Sequence, residues 1–261
     1  MRYEILGPLQ VIHDSQVLQP KARKINTLLT ILILRINQVV TTEQIFAELW
    51  PTKMPRRANA AIHVYISQLR RFLWGNGNRG HIQTSAGGYM LSKGSAEVDV
   101  DLFEQDVRAG QEHIRREAYE LAAEAFESAL ARCRGPVLSD LRESPSISTF
   151  VAWFEEAKLA CTEYLIDATI ALGRAPHTIP ELYALTEAHP LRERFHQQLM
   201  LALYLADRRA DALRVYQNAR QTLVDELGLE PGNALRELQH AILLGDARLE
   251  RPGVMLVSGV S

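Results

Sequence analysis

Residues 56–74, RRANAAIHVYISQLRRFLW, decide how the N-terminal third of the chain folds. Ile62, Ile66, Leu69 and Leu73 recur at i, i+4, i+7 and i+11, which places them on one side of a helix as a single buried stripe. The other side carries no acid. There His63, Val64, Ser67, Gln68, Arg70 and Arg71 point outward, and Arg56 and Arg57 stand at the start. Such a helix can enter a DNA major groove, with short polar side chains on base edges and arginines at its two ends on phosphates. The plainer reading is a solvated basic face. The flanking sequence decides between the two.

Upstream, Thr41 followed by Gln44 forms a capping box, and Ile45, Phe46, Leu49 and Trp50 make one apolar face of a short helix that Pro51 stops. Two helices joined by the break at 50–55, the second basic and unpaired on one face, give a helix-turn-helix. Downstream, HIQT and YMLS flank a glycine turn at Gly87-Gly88, a β-hairpin that serves as a wing. Further back, residues 2–6 and 9–12 alternate around Gly7-Pro8, and Val17-Leu18 follows a polar turn, so the chain opens on a small antiparallel sheet. A core helix is expected over 21–37, where Ile25, Leu28, Leu29, Leu32 and Ile36 hold helical spacing. Lys21, Arg23 and Lys24 crowd its first turn, where the helix dipole disfavours cations, and an external anion would relieve that cost.

Charge divides the chain. The net charge of -2 conceals +8 over residues 1–95, with 12 Lys and Arg against 4 Asp and Glu, and -10 over the remainder. A basic third favours a polyanion, and an acidic remainder would be repelled by one. Cys133 and Cys161 form no CxxC and have no neighbouring His pair, which fits inert thiols in a reduced, cytoplasmic setting and not a zinc site or disulfide framework. The N-terminus lacks a signal-peptide core and no segment could span a membrane. The run GNGNRG, residues 75–80, spells G-x-G-x-x-G, but a dinucleotide site needs a strand before the glycines and a helix after them. Here a helix precedes and a hairpin follows, which reads as a helix C-cap and loop. No GK[ST], HExxH or GxSxG occurs, so neither catalysis nor a cofactor is expected.

From Val98 to about Asp246 the pattern is helical, with helices expected over 101–114, 117–133, 147–172, 179–189, 193–206, 210–227 and 233–244. Ala122-x3-Phe126-x2-Ala129 recurs as Ala212-x3-Tyr216-x2-Ala219, the second-helix pattern of a tetratricopeptide unit, although the first-helix Trp-Leu-Gly-Tyr signature is absent. Stacked helix pairs of this type make a surface for a peptide or protein. The expected organisation is a winged helix-turn-helix (α+β) over 1–95, an all-α tetratricopeptide-like domain over 96–246 and a flexible tail over 247–261, mainly α overall.

Several short motifs occur in a fixed order: Ile5-Leu6-Gly7-Pro8, Ala47-Glu48-Leu49-Trp50-Pro51, the run 64–71, Gly88-Tyr89, Arg134-Gly135-Pro136, HPLRE at 189–193 and DELGLEPG at 225–232. Through them the sequence resembles, over nearly its whole length, the SARP family of actinobacterial antibiotic regulatory proteins, in which an OmpR-type winged helix precedes a bacterial transcriptional activation domain. The resemblance implies a transcriptional activator of a secondary-metabolite gene cluster that binds tandem direct repeats in double-stranded DNA as a homodimer. It also implies recruitment of RNA polymerase through the sigma factor and other subunits. The candidate DNA-contacting residues are Lys21, Arg23, Lys24, Thr42, Trp50, Arg56, Arg57, Asn59, His63, Val64, Ser67, Gln68, Arg70, Arg71 and Tyr89. One departure concerns the wing: Ser85-Ala86-Gly87-Gly88 is uncharged where relatives often carry a basic residue, which leaves Lys93, Arg79 and backbone amides for wing contacts. The competing readings are a helical-repeat adaptor whose winged helix binds protein, and a nucleotide-binding enzyme using the glycine loop. Salt-sensitive duplex binding separates the first function from both.

Overall fold

Gly7-Pro8 interrupts the first apolar alternation and so divides it into two short strands, as the periodicity demands. The structure, a computed structural model, describes residues 1–74 and 82–250. In chain order these form β1 (Arg2–Glu4), β2 (Gln10–His13), β3 (Gln16–Leu18), α1 (Arg23–Leu34), β4 (Val40–Thr41), α2 (Thr42–Leu49), α3 (Ala58–Trp74), β5 (Ile82–Ser85), β6 (Gly88–Leu91) and β7 (Glu97–Val98). There follow α4 (Asp99–Arg115), α5 (Tyr119–Ala131), α6 (Pro145–Ala171), α7 (Ala175–Ala188), α8 (Glu193–Leu205), α9 (Arg209–Leu227) and α10 (Asn233–Leu244), with 3-10 turns at Ser139–Leu141 and Ala247–Glu250. The class is the expected one: a mixed winged-helix region, then an all-α repeat region. By packing, the chain divides into two compact units, Met1–Gln105 with Ala129–Lys158, and Asp106–Ser128 with the residues from Leu159 onward.

In the first unit, one sheet has the order β3-β2-β1-β7. Asp14 and Ser15, both at positive φ, make the two-residue turn between β2 and β3, and β7 pairs parallel to β1 with Tyr3 opposite Val98. Two residues long, β7 leaves no readable alternation in the sequence. Beside it the buried Asp99 carboxylate accepts the Ile5 N–H at 2.9 Å and the Leu6 N–H at 2.8 Å. Burial pushes this carboxyl up from the ordinary range, while the two amides and Arg134 pull it back. Residues 129–158 belong here by their contacts. The Arg134 N–H donates to Leu6 O, the Leu138 N–H donates to Gly7 O, and a Cβ on Gly7 would sit 3.0 Å from Arg134 Cβ. At the start of α6 the buried Glu48 of α2 accepts the Ser146 N–H at 3.0 Å and the hydroxyls of Ser144 and Ser146. A carboxylate there satisfies orphan amides and favours the helix dipole.

The stripe on α3 packs as its spacing requires: Ile62, Ile66, Leu69 and Leu73 are at most 2% exposed. They share the core with Leu28, Leu29 and Leu32 of α1 and Ile45 and Leu49 of α2. Thr41 and Gln44 form the capping box at the start of α2. α1 is shorter than 21–37. Ala22 is extended at its N-cap, and Asn37, at φ 63°, leaves the helix to donate its N–H to Leu91 O and accept the Lys93 N–H on its side chain. The hairpin turn also differs by one residue, because Ser85 pairs with Gly88, leaving Ala86-Gly87 as the turn with Gly87 at φ 79°. Gly88 is paired on both sides instead. Val40 O lies 2.2 Å from where a Cβ would stand, so only glycine lets β4 join the wing sheet in the order β4-β6-β5.

In the second unit, Gly110 of α4 faces the ring of Phe126, where a Cβ would come within 2.5 Å, and Phe126 stacks on Tyr164 at 5.5 Å. Of the small-aromatic-small pattern read from the sequence, Ala122 and Phe126 of the first copy and Ala212, Tyr216 and Ala219 of the second are buried here, and Ala129 is a buried residue of the first unit. Around the second copy, α7 to α10 share one core built on Ile179, Leu182, Phe195, Leu199, Leu203, Leu238 and Ile242. The tail expected from 247 is held at its start, because Ala247–Glu250 turn back and seat Leu249 in that core at 1% exposure. The sequence reading missed one apolar residue among polar neighbours. Residues 251–261, like the glycine run at 75–80, lie outside the described residues.

Candidate nucleic-acid interface

α2 and α3 are joined by the turn over 50–57, and the aromatic pair Phe46 and Trp50 continues into Tyr65 of α3, with ring centroids 6.2 and 6.3 Å apart. Trp50 is therefore half-buried in the joint between the two helices. Arg56 and Arg57 fall in the turn before α3, not within it, and both are exposed. Asn59, His63, Ser67, Gln68 and Arg71 are exposed along α3, and Val64 is 51% exposed. An exposed valine among polar residues suits contact with a thymine methyl. No acidic residue lies on α3.

Beside α3 the wing closes one wall of an open groove of about 600 Å³, lined by His63, Ile66, Ser67, Arg70, Arg71, Thr84 and Tyr89. Two side chains bridge helix and wing. Arg70 donates from Nε to Ile82 O at 3.2 Å and from a terminal nitrogen to Thr84 Oγ1 at 2.7 Å. Tyr89, 6% exposed, places its hydroxyl 3.0 Å from Nδ1 of His63. At the other end of the wing Thr42 donates its N–H and its hydroxyl to Gly87 O, at 2.9 and 3.1 Å.

These contacts redistribute the expected roles. Arg70 clamps the wing where an outward phosphate contact was expected, and Tyr89 is a wall residue whose hydroxyl is engaged by His63. Thr42 ties α2 to the wing turn. At the start of α1, Arg23 donates to Asp140 O at 2.7 Å and pairs with Glu143 at 3.1 Å, while the Lys24 ammonium donates to Leu49 O at the end of α2. The dipole cost of those two cations is thus relieved by the chain itself, and only Lys21 of the three keeps an exposed side chain with no partner among the described residues. Lys93, the other wing candidate, pairs with Asp101 at 2.6 Å, and Arg79 lies outside the described residues. Thr84 escaped the sequence reading, since nothing in a polar strand residue announces a partner 14 positions away.

Among the described residues no group of three or more His, Cys, Asp or Glu could hold a metal ion, and no helix is long and apolar enough to cross a membrane. A recognition helix with a free polar face, preceded by a positioning helix and flanked by a wing, defines a winged-helix DNA-binding protein. Comparison with known proteins places it further. Residues 18–91 match the family described as transcriptional regulatory protein, C terminal, and residues 98–243 match the bacterial transcriptional activator domain. The chain is 35% identical over 260 residues to the regulatory protein DnrI of Streptomyces peucetius, covering 97% of this chain and 96% of that relative. It is 36% identical over 243 residues to the transcriptional regulatory protein EmbR of Mycobacterium tuberculosis, covering 92% of this chain and 63% of that longer relative. A solved structure of Mycobacterium tuberculosis EmbR, in complex with a low affinity phosphopeptide, matches at TM-score 0.91 and 34% identity over 99% of this chain and 69% of the other. The chain belongs to the SARP family of DNA-binding transcriptional regulators.

Proposed function

We propose that this protein activates a secondary-metabolite (antibiotic) biosynthesis gene cluster by binding tandem direct repeats near a promoter and recruiting RNA polymerase. The observation that carries the proposal is the exposed, acid-free face of α3. On it Asn59, His63, Val64, Ser67 and Gln68 read base edges, while Arg56, Arg57, Arg71 and Lys21 meet phosphates. Residues 1–95 carry this reading function. The acidic helical region over 96–246 is the platform for polymerase, through its sigma factor and other subunits, and for a second protomer. Similarity to regulators from Streptomyces supports that assignment.

A single winged helix reads few base pairs, so two copies bound side by side supply the affinity that one lacks at cellular salt. Head-to-tail protomers imply direct repeats whose centres lie about 10 to 10.5 bp apart, or a multiple, so that both face one side of the duplex. Footprinting on promoters from the gene's own genomic neighbourhood locates the repeats. Inserting half a helical turn, about 5 bp, between them should abolish activation in a purified transcription assay, and a full turn should restore it in part. Transcription indifferent to the half-turn insertion would mean that protomers act independently.

A further inference from the structure

We infer that Tyr89 is a positioning residue that holds His63 as a hydrogen-bond donor toward the groove, so that the protein rejects cytosine at the base pair His63 reads. This rests on the DNA-binding reading of α3 and adds to it which base edge His63 accepts.

The basis is the contact between the Tyr89 hydroxyl and His63 Nδ1 at 3.0 Å, with Tyr89 only 6% exposed. A neutral imidazole carries one N–H, and the bond made at one ring nitrogen decides which nitrogen keeps it. If Nδ1 held the proton it would donate to the phenol oxygen, and the phenol's own proton would then need an acceptor. Among the described residues the hydroxyl has none besides His63. A hydroxyl donating to a bare Nδ1 satisfies both groups at once within the protein, whereas the reverse arrangement leaves the phenol proton to solvent in the groove. The neutral ring therefore keeps its proton on Nε2, the nitrogen on the side away from Tyr89. No carboxylate in the groove competes for it: the other lining side chains are Ile66, Ser67, Arg70, Arg71 and Thr84, and Arg70 is held by the wing.

Tyr89 itself is well placed to set the ring. Its backbone is paired to Val40 on one side and Thr84 on the other, so its side chain projects from the centre of the three-stranded wing sheet, not from a loop tip. In the major groove an Nε2–H finds acceptors on guanine N7 and O6, adenine N7 and thymine O4. On the strand that His63 contacts, cytosine offers only its N4 amino donor, which meets the same proton head-on, while the N7 and O6 of the paired guanine lie toward the other strand.

The test uses the full chain. Long-range nitrogen–proton spectra of 15N-histidine-labelled protein, with the His63 signals assigned by their loss in His63→Ala, report the tautomer without DNA. Selection from a pool of duplexes with a randomised segment reports base preference. In wild type, the inference expects the Nε2–H form and a selected site with one position from which cytosine is excluded. In Tyr89→Phe the ring mixes tautomers and discrimination against cytosine at that position falls on the order of tenfold. His63→Ala should relax the same position, and the double variant should lose no more than His63→Ala alone; the tautomer read in the wild-type chain and the selected site of His63→Ala carry the test if Tyr89→Phe folds poorly. An Nδ1–H tautomer in wild type, or an unchanged selected site in both variants, overturns the inference and leaves the DNA-binding reading standing. A wild-type protein that enriches no sequence overturns both.

Discussion

Two basic clusters of the first unit look alike in sequence and differ in the folded protein. The turn leading into α1 holds Lys21, Arg23 and Lys24, and the approach to α3 holds Arg56 and Arg57. In the first, Arg23 and Lys24 are spent on Asp140, Glu143 and Leu49 of the same unit. In the second both guanidinium groups stand exposed. A count of positive charge weighs the two equally, yet a cation already held by an internal acceptor must give up that contact to reach a phosphate and displace its counterions. What separates the clusters is the loop and 3-10 turn over 138–143, far along the chain, which brings acceptors to Arg23, and the end of α2, which brings one to Lys24.

Four variants test how sharp that division is. The largest effect belongs to Arg56→Ala with Arg57→Ala: affinity for any duplex should fall by about tenfold or more at physiological salt and the salt slope by about 2, with stability within roughly 0.5 kcal/mol of wild type. Anisotropy titrations across a salt series, paired with thermal melts, read both. Next comes Arg70→Ala, the intermediate case. Losing its two bonds to the wing should cost about 1 to 2 kcal/mol and weaken operator binding through a loosened wall, and hydrogen exchange localised to β5 would show it. A normal exchange pattern with a salt slope lowered by 1 would instead return Arg70 to the phosphate-binding group.

Smaller still, Lys24→Met should lower stability by about 1 kcal/mol by exposing the carbonyl end of α2, and leave the salt slope untouched. Arg23→Ala should cost below about 1 kcal/mol, as an exposed pair does, again with no change in slope. A reduced slope in either variant would place α1 on the DNA and erase the distinction between the clusters.

Much of this was legible in the sequence, for reasons that particular residues make plain. The α3 stripe, the Thr41–Gln44 box and the paired Ala-x3-aromatic-x2-Ala patterns are local, repeating signals, and each is packed as its spacing implies. The wing hairpin was legible from its glycines. The third wing strand was not, because two residues cannot display a period, and Gly88 read as part of the turn when its role is to let Val40 come close. At the interface, which residues face outward could be read from helical phase. Which outward residues are already occupied could not, since the partners of Arg70, His63, Arg23 and Lys24 sit 12 to 120 positions away.

Asp99 also sets a clock. The amides of Ile5 and Leu6 that it accepts lie 94 and 93 residues earlier, and Ser144 meets Glu48 across 96 residues. At roughly 5 to 20 residues per second of synthesis, the opening strands wait about 5 to 20 seconds before their carboxylate is made. Until then β1 lacks β7 and presents an unpaired edge, the kind that joins neighbouring chains. A nascent chain of this protein therefore spends its first seconds with a half-built sheet. Whether it stays single through that interval depends on the cell's chaperones and on ribosome spacing along its message more than on the stability of the finished fold.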